Sequence, residues 1–260
     1  GITSAREFAD LMLALARAYH RADDDATQGQ IADWYCLLAQ HLRDQGMVPG
    51  SGFSWGWYDG RDLGEANFLM RKPLRENGLL DWAVRYLDYS YGFSAIFDDT
   101  TISPNMDYFH MNIRYRLYGC LMQVEPAEQV RYLDAYSRRL SLDILTEDTP
   151  NGYKPDGSAF HHNMHYFAYA GIGTRSLVNM VEPISHTTYR LTPAAMEKLK
   201  QVVLAMRFYC NLVDLPLPLS GRHPFSQRLD PNVLLTLAKC GSPDESTELD
   251  PELAAAYLRI

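Results

Sequence analysis

The sequence predicts an all-α fold, an incomplete (α/α) toroid built from antiparallel helix pairs. Three observations lead there. Apolar residues recur at three- and four-residue steps through most of the chain. The periodic segments open on Ser, Thr or Pro and close on Gly, the residues that start and stop helices. Between the Pro/Gly turns no segment shows convincing two-residue alternation, so little or no sheet is expected.

Taken in order, "SAREFADLMLALARAYH" begins at a Thr/Ser cap and carries an apolar stripe, and "ATQGQIADWYCLLAQHLRDQG" repeats the pattern and stops at Gly46. "LGEANFLMRKPLRENG" and "LLDWAVRYLDYSYG" each end on Gly, as the two arms of a helical hairpin would. "NMDYFHMNIRYRLYGCLMQ" follows, and "PAEQVRYLDAYSRRLSLDILT" has Pro126 at its first helical position. "TPAAMEKLKQVVLAMRFYCNLV" combines a Thr cap, Pro193 at the first position and an apolar stripe. "PNVLLTLAKCG" and "PELAAAYLRI" complete the series. Some nine or ten paired helices fit a toroid or a solenoid, and the lack of a strict internal repeat turns the choice from short-repeat solenoids.

The 260 residues suffice for one large domain or two small ones, and 47% apolar with 22% charged residues is an ordinary globular balance. The chain is read as a single domain over residues 1–260. It starts and stops inside helical patterns, so it is expected to be a fragment of a longer polypeptide. No apolar run approaches the roughly 20 residues that cross a bilayer, so no membrane insertion is expected. Cys36, Cys120, Cys210 and Cys240 are far apart on apolar stretches and are expected as buried free thiols.

A formal net charge of −8 argues against a nucleic-acid partner. Residues 153–228 nevertheless hold eight Lys/Arg against four acids and five of the eight histidines. A locally positive stretch in an acidic chain suits an anionic ligand. Longer connections lie at 48–62, 93–105, 149–158 and 214–230, and loops of this kind tend to carry function. Trp55 and Trp57 sit in the first of them, suited equally to stacking on sugar rings and to half-buried structural packing.

The densest chemistry is "KPDGSAFHHNMHYFAY" over 154–169. If it is helical, His161 and His165 (i, i+4), or His162 and His165 (i, i+3), share a face, as in a two-histidine metal grip. There is no HExxH glutamate and no nearby acid to complete a ligand set, so no metal site is assigned. No cofactor is required, though a loosely held divalent cation is compatible with the histidines. A proton-transfer site is the alternative. Tyr169 stands seven residues after His162, two helical turns on and on the same side. Tyrosine, with an ordinary pKa near about 10, acts as a base at neutral pH only where cations stabilise its phenolate. Arg222 in "LPLSGRHPF", with His223 beside it, offers such a cation from a loop, and its planar guanidinium can also grip a carboxylate.

These two motifs, some fifty residues apart, resemble the chondroitin ABC lyase branch of polysaccharide lyase family 8. "MDYFH" at 106–110 and the "WYDGRDLGEANFLMRKPLRENGLLDWAVRYLDY" region are similar to earlier helices of that family, so the likeness spans most of the chain. The resemblance implies a helical toroid domain without the family's C-terminal β-sandwich domains or its catalytic glutamate, which follows the toroid. It implies catalytic roles for His162, Tyr169 and Arg222, and places His110 and His161 where related enzymes have further active-site histidines. Asn163, Asn112, Trp55, Trp57 and His223 join His110 and His161 as substrate-binding candidates.

The implied activity is β-elimination at a uronic acid C5 in chondroitin or dermatan sulfate, or hyaluronan, leaving unsaturated uronate ends. The implied partner is thus an anionic polysaccharide, met by a monomer that is secreted or periplasmic. Two other classes are weighed. A toroid glycoside hydrolase would need paired carboxylates, for which Asp98, Asp99, Asp107 and Asp156 are the nearest candidates. A truncated helical domain could also bind polysaccharide without catalysis.

Overall fold

The computed structural model describes residues 4–50, 60–102, 104–221 and 228–260. Its helices are α1 (Ala5–Arg21), α2 (Asp25–Asp44), α3 (Arg61–Leu69), α4 (Arg71–Glu76), α5 (Leu80–Tyr91), α6 (Ile113–Leu121), α7 (Pro126–Leu145), α8 (Phe167–Val181), α9 (Pro193–Tyr209), α10 (Asn232–Ala238) and α11 (Pro251–Leu258). The described chain is mostly helical, as predicted. The caps read from sequence are made: Ser4 accepts from the Glu7 amide at 3.2 Å, and Thr192 accepts from the Ala195 amide at 3.3 Å. All four cysteines are buried and free. Among the described residues no helix is long and apolar enough to cross a membrane.

The chain forms two compact units, one of Gly1–Ala95 and Tyr115–Tyr132, the other of Ile96–Arg114 and Leu133–Ile260. In the first, α1 packs against α2 and α3 and buries Met12, Ala16, Tyr35 and Leu63. Two buried pairs tie it together: the Tyr35 hydroxyl donates to Asn67 Oδ1 at 2.8 Å, and Trp82 Nε1 donates to the Met47 carbonyl at 2.7 Å. One expectation fails in this unit. The single helix predicted over 63–78 is two, α3 and α4, broken at Met70. Pro73 is the cause, because it has no amide to give the Leu69 carbonyl and its ring crowds that oxygen. His20 Nε2 takes up the orphaned carbonyl at 3.0 Å. Helix α5 ends as predicted, with Gly92 left-handed at φ +58 and its amide on the Asp88 carbonyl.

In the second unit, Asn105 Oδ1 accepts from the Tyr108 amide at 2.9 Å, and the helix that follows widens into a π turn at Tyr108–Asn112 before continuing as α6. Helix α8 packs on that turn. Gly173 allows the approach, since a Cβ there would lie 2.8 Å from the Met106 carbonyl oxygen. Helix α8 was not among the predicted helices. It buries Phe167, Ala168, Ala170, Gly173, Thr174, Ser176, Leu177, Val178 and Val181, nearly all round its axis, so no one-sided stripe marks it. The buried Arg139–Asp143 pair braces the start of the π turn. Arg139 Nε lies 3.0 Å from Asp143, whose other oxygen accepts the Tyr108 hydroxyl, while Arg139 also donates to the Asp98 and Thr101 carbonyls.

The second failed expectation is local and decides the site. Residues 152–165 are not a helix start but a small antiparallel sheet, β1 (Gly152–Tyr153), β2 (Ala159–His161) and β3 (Met164–His165). Pro155-Asp156-Gly157 turns β1 into β2, with Gly157 at φ +82 and the Lys154 amide on the Ser158 carbonyl at 2.8 Å.

Candidate active site

β2 and β3 pair His161 with Met164 and Phe160 with His165, so His162 and Asn163 form a two-residue hairpin tip. Both are left-handed, at φ 52 and 60, the conformation a tight hairpin of this hand requires. The Asn163 amide is anchored by Asn151 Oδ1 at 3.0 Å. Holding a histidine there costs roughly 1 to 2 kcal/mol against the ordinary backbone regions. Such local strain is typical of positions kept for function.

The hairpin also dismantles the two-histidine metal grip. Alternation along a strand sends successive side chains to opposite faces. His165 therefore shares a face with its partner Phe160, 5.8 Å away ring to ring, and not with His161. Burial lowers the His165 pKa, partly opposed by the Asp156 carboxylate. His165 also packs edge-on to Tyr209 at 5.1 Å, a structural position. Among the described residues no three His, Cys, Asp or Glu side chains converge to hold a metal.

The proton-transfer set is brought together, by hairpin and helix start rather than by two helical turns. The buried His161 ring stacks on Tyr169 at 4.5 Å and 22°, with Tyr169 in the first turn of α8. The exposed His162 ring lies 4.0 Å from His161 and 5.8 Å from Tyr169. Tyr166, which sequence reasoning passed over, closes the cluster at 4.8 Å from Tyr169. On the far side of His161, its Nε2 lies 3.4 Å from Asp107 Oδ2. Asp107 was considered only as a hydrolase acid. Its pairing spans more than fifty residues, and no local spacing signals it.

The other candidates fall as follows. His110, on the π turn, pairs its Nδ1 with the Ser176 hydroxyl of α8 at 2.9 Å, and Asn112 lies half-buried on the same turn. Arg222, His223, Trp55 and Trp57 lie outside the described residues. The residue before Arg222 is described, however. Gly221 is left-handed at φ +57 and packs so closely on the Tyr166 ring that a Cβ there would collide with it. Three of the four acids considered for a hydrolase are held as anions, Asp98 and Asp156 by their own turns and Asp99 by Arg138. Thr100 lowers the Asp98 pKa to about 2, Arg138 lowers that of Asp99, and Ser158 lowers that of Asp156. A general acid needs the opposite shift.

Comparison with known proteins identifies the family. Residues 2–260 match the protein family described as "Lyase, catalytic". The chain is 34% identical to a chondroitin sulfate ABC exolyase of Bacteroides thetaiotaomicron, over 98% of this chain and 26% of the relative. It is 30% identical to a chondroitin sulfate ABC exolyase of Proteus vulgaris, over 89% of this chain and 24% of the relative. With a chondroitin sulfate ABC endolyase of the same organism the identity is 28%, over 97% and 25%. The chain spans about a quarter of the length of these relatives. With a family match over nearly its whole length, this chain belongs to the lyase catalytic-domain family, in the chondroitinase-type group of polysaccharide lyase family 8.

Proposed function

We propose that this chain is the helical catalytic part of a glycosaminoglycan lyase, a single incomplete α/α-toroid domain that cleaves chondroitin or dermatan sulfate-type chains, with hyaluronan a further substrate, by β-elimination. The observation that carries the reading is the Asp107–His161–Tyr169 alignment with His162 exposed beside it. Named relatives that act on chondroitin sulfate support the substrate class. The protein works as a monomer outside the cytoplasm, where polymers of this size are met, and needs no cofactor.

In the reaction, Tyr169 as phenolate takes the uronate C5 proton. The released electron pair forms the C4–C5 double bond and expels the 4-linked oxygen, which takes the proton back from Tyr169. The ionised carboxylate beside C5 resists further negative charge, so donors must be aimed at it. His162 fills that role, with Asn163 and Asn112 as further candidates. Asp107, 3.4 Å from His161 Nε2, holds that ring in place against Tyr169. Arg222 serves the same phenolate and the leaving oxygen.

The test is Tyr169→Phe in the full-length protein, with release of unsaturated uronate followed by its ultraviolet absorbance. Turnover should fall by at least about 10³-fold, since loss of a general base or acid costs that order. Polysaccharide binding should be largely kept. Near-normal turnover in this variant would remove Tyr169 from the chemistry. Cleavage by the unsubstituted enzyme without the absorbance would point to a hydrolase.

A further inference from the structure

The first unit carries a cleft that the elimination chemistry does not use. Arg71, Lys72 and Arg75 of α4 line a cavity of about 200 Å³ over a floor of Leu80, Met122 and Val124. A second hollow of about 280 Å³ continues it, sharing Arg75 and the same floor. Spacings of three and four residues put the cations on one helical face. All three are exposed, and among the described residues none has an acidic partner within salt-bridge range. The one acid at the edge, Asp81, is already held by Arg85 at 2.9 Å. Arg71 is oriented in advance, its guanidinium 4.6 Å over the Phe68 ring and donating to the Phe68 carbonyl at 3.1 Å.

Two amides complete the lining. Gln123 Nε2 donates to the Gly119 carbonyl at 2.9 Å, and Gln129 Nε2 donates to the Gln123 carbonyl at 2.7 Å. With their nitrogens so engaged, each Oε1 remains to accept from a hydroxyl. Anion-gripping guanidinium groups, hydroxyl acceptors and an apolar floor match one kind of ligand well. A sulfated or uronic sugar presents an anionic group, hydroxyls and an apolar C–H face together.

We propose that this basic cleft is a second polysaccharide-binding site, sharing no residue with the His/Tyr cluster, that holds a sulfated or carboxylated sugar unit of the chain being degraded. The proposal rests on the lyase reading for the identity of the polymer, but not on turnover. A long polymer that occupies both sites is retained better than one that occupies either alone.

The experiment measures binding of chondroitin sulfate to the full-length protein carrying Tyr169→Phe, so that cleavage does not interfere. Lys72→Ala with Arg75→Ala should raise Kd about tenfold, since two partly screened ion pairs together supply roughly that factor. Arg17→Ala with Arg43→Ala removes the same charge from elsewhere in the first unit and should change Kd less than about twofold. Unfolding midpoints of both variants should stay close to that of the parent, because Lys72, Arg75 and Arg17 are exposed, Arg43 is only half-buried, and the Arg17–Glu65 pair at 2.9 Å is a surface contact. Unchanged binding in the cleft variant overturns the proposal, as does equal weakening by the two pairs, which would mean diffuse attraction by net charge. Failure of the lyase reading shows separately, as absence of unsaturated product from the unsubstituted enzyme.

Discussion

Replacing His162 by glycine should make the protein slightly more stable while removing its activity. The backbone there is left-handed at φ 52, which costs an L-residue roughly 1 to 2 kcal/mol and glycine nothing. Glycine returns about 0.4 to 1 kcal/mol of this through the greater freedom of its unfolded chain. The His162 ring is exposed, so little apolar burial is lost with it. The net expectation is a gain of about 0.5 to 1 kcal/mol, or an unfolding midpoint higher by about 2 °C in a domain of this size. Thermal unfolding of the full-length protein, read on the transition of its helical part, measures this beside the rate of unsaturated uronate release. A midpoint lowered by several degrees would refute the strain argument, because it would show that His162 holds the hairpin together. Retained activity would refute its role as a donor to the substrate carboxylate.

Two further outcomes follow from the same neighbourhood. Gly221→Ala should lower stability by about 2 to 4 kcal/mol, from its left-handed backbone and the overlap with the Tyr166 ring, and reduce turnover by shifting Tyr166; unfolding and kinetic measurements that match the parent would show that Gly221 does not pack on Tyr166. For His165, burial lowers the folded-state pKa below the unfolded value near about 6.5, so between those values the unfolded chain binds more protons. Stability should therefore fall as pH drops from 7 through that window, and His165→Phe, which keeps the ring packing against Phe160 and Tyr209, should flatten the decline; an unchanged pH profile of the unfolding midpoint would contradict this assignment.

Most of the helical framework was legible because helix ends are written locally. Ser4, Thr192 with Pro193, and Gly92 each mark a boundary within a few residues of themselves. The misses have physical causes. The break at Met70 depends on Pro73 together with a histidine about fifty residues earlier that accommodates the carbonyl left over. The hairpin at 159–165 has strands of two and three residues, too short for alternation to register, and its i, i+4 histidines imitate a helix. The closeness of His162 and Tyr169 was legible because motif spacing survives a change of local structure. Asp107 and the Gly221–Tyr166 contact were not, because each joins segments that only folding brings together.

The π turn at Tyr108–Asn112 makes the site sensitive to chain length as well as to residue identity. A π turn amounts to one residue more than an α-helix would use, and that residue rotates the side chains after it by about 100° around the axis. His110 meets Ser176 from within that turn, with Tyr108 pinned to Asp143 at its start. Deleting a single residue here would leave a good helix and carry His110 out of register with α8. Relatives of this chain that lack the extra residue would then need a different group opposite Ser176, so the count of residues between the equivalents of Asn105 and Ile113 becomes a marker for how the site is furnished.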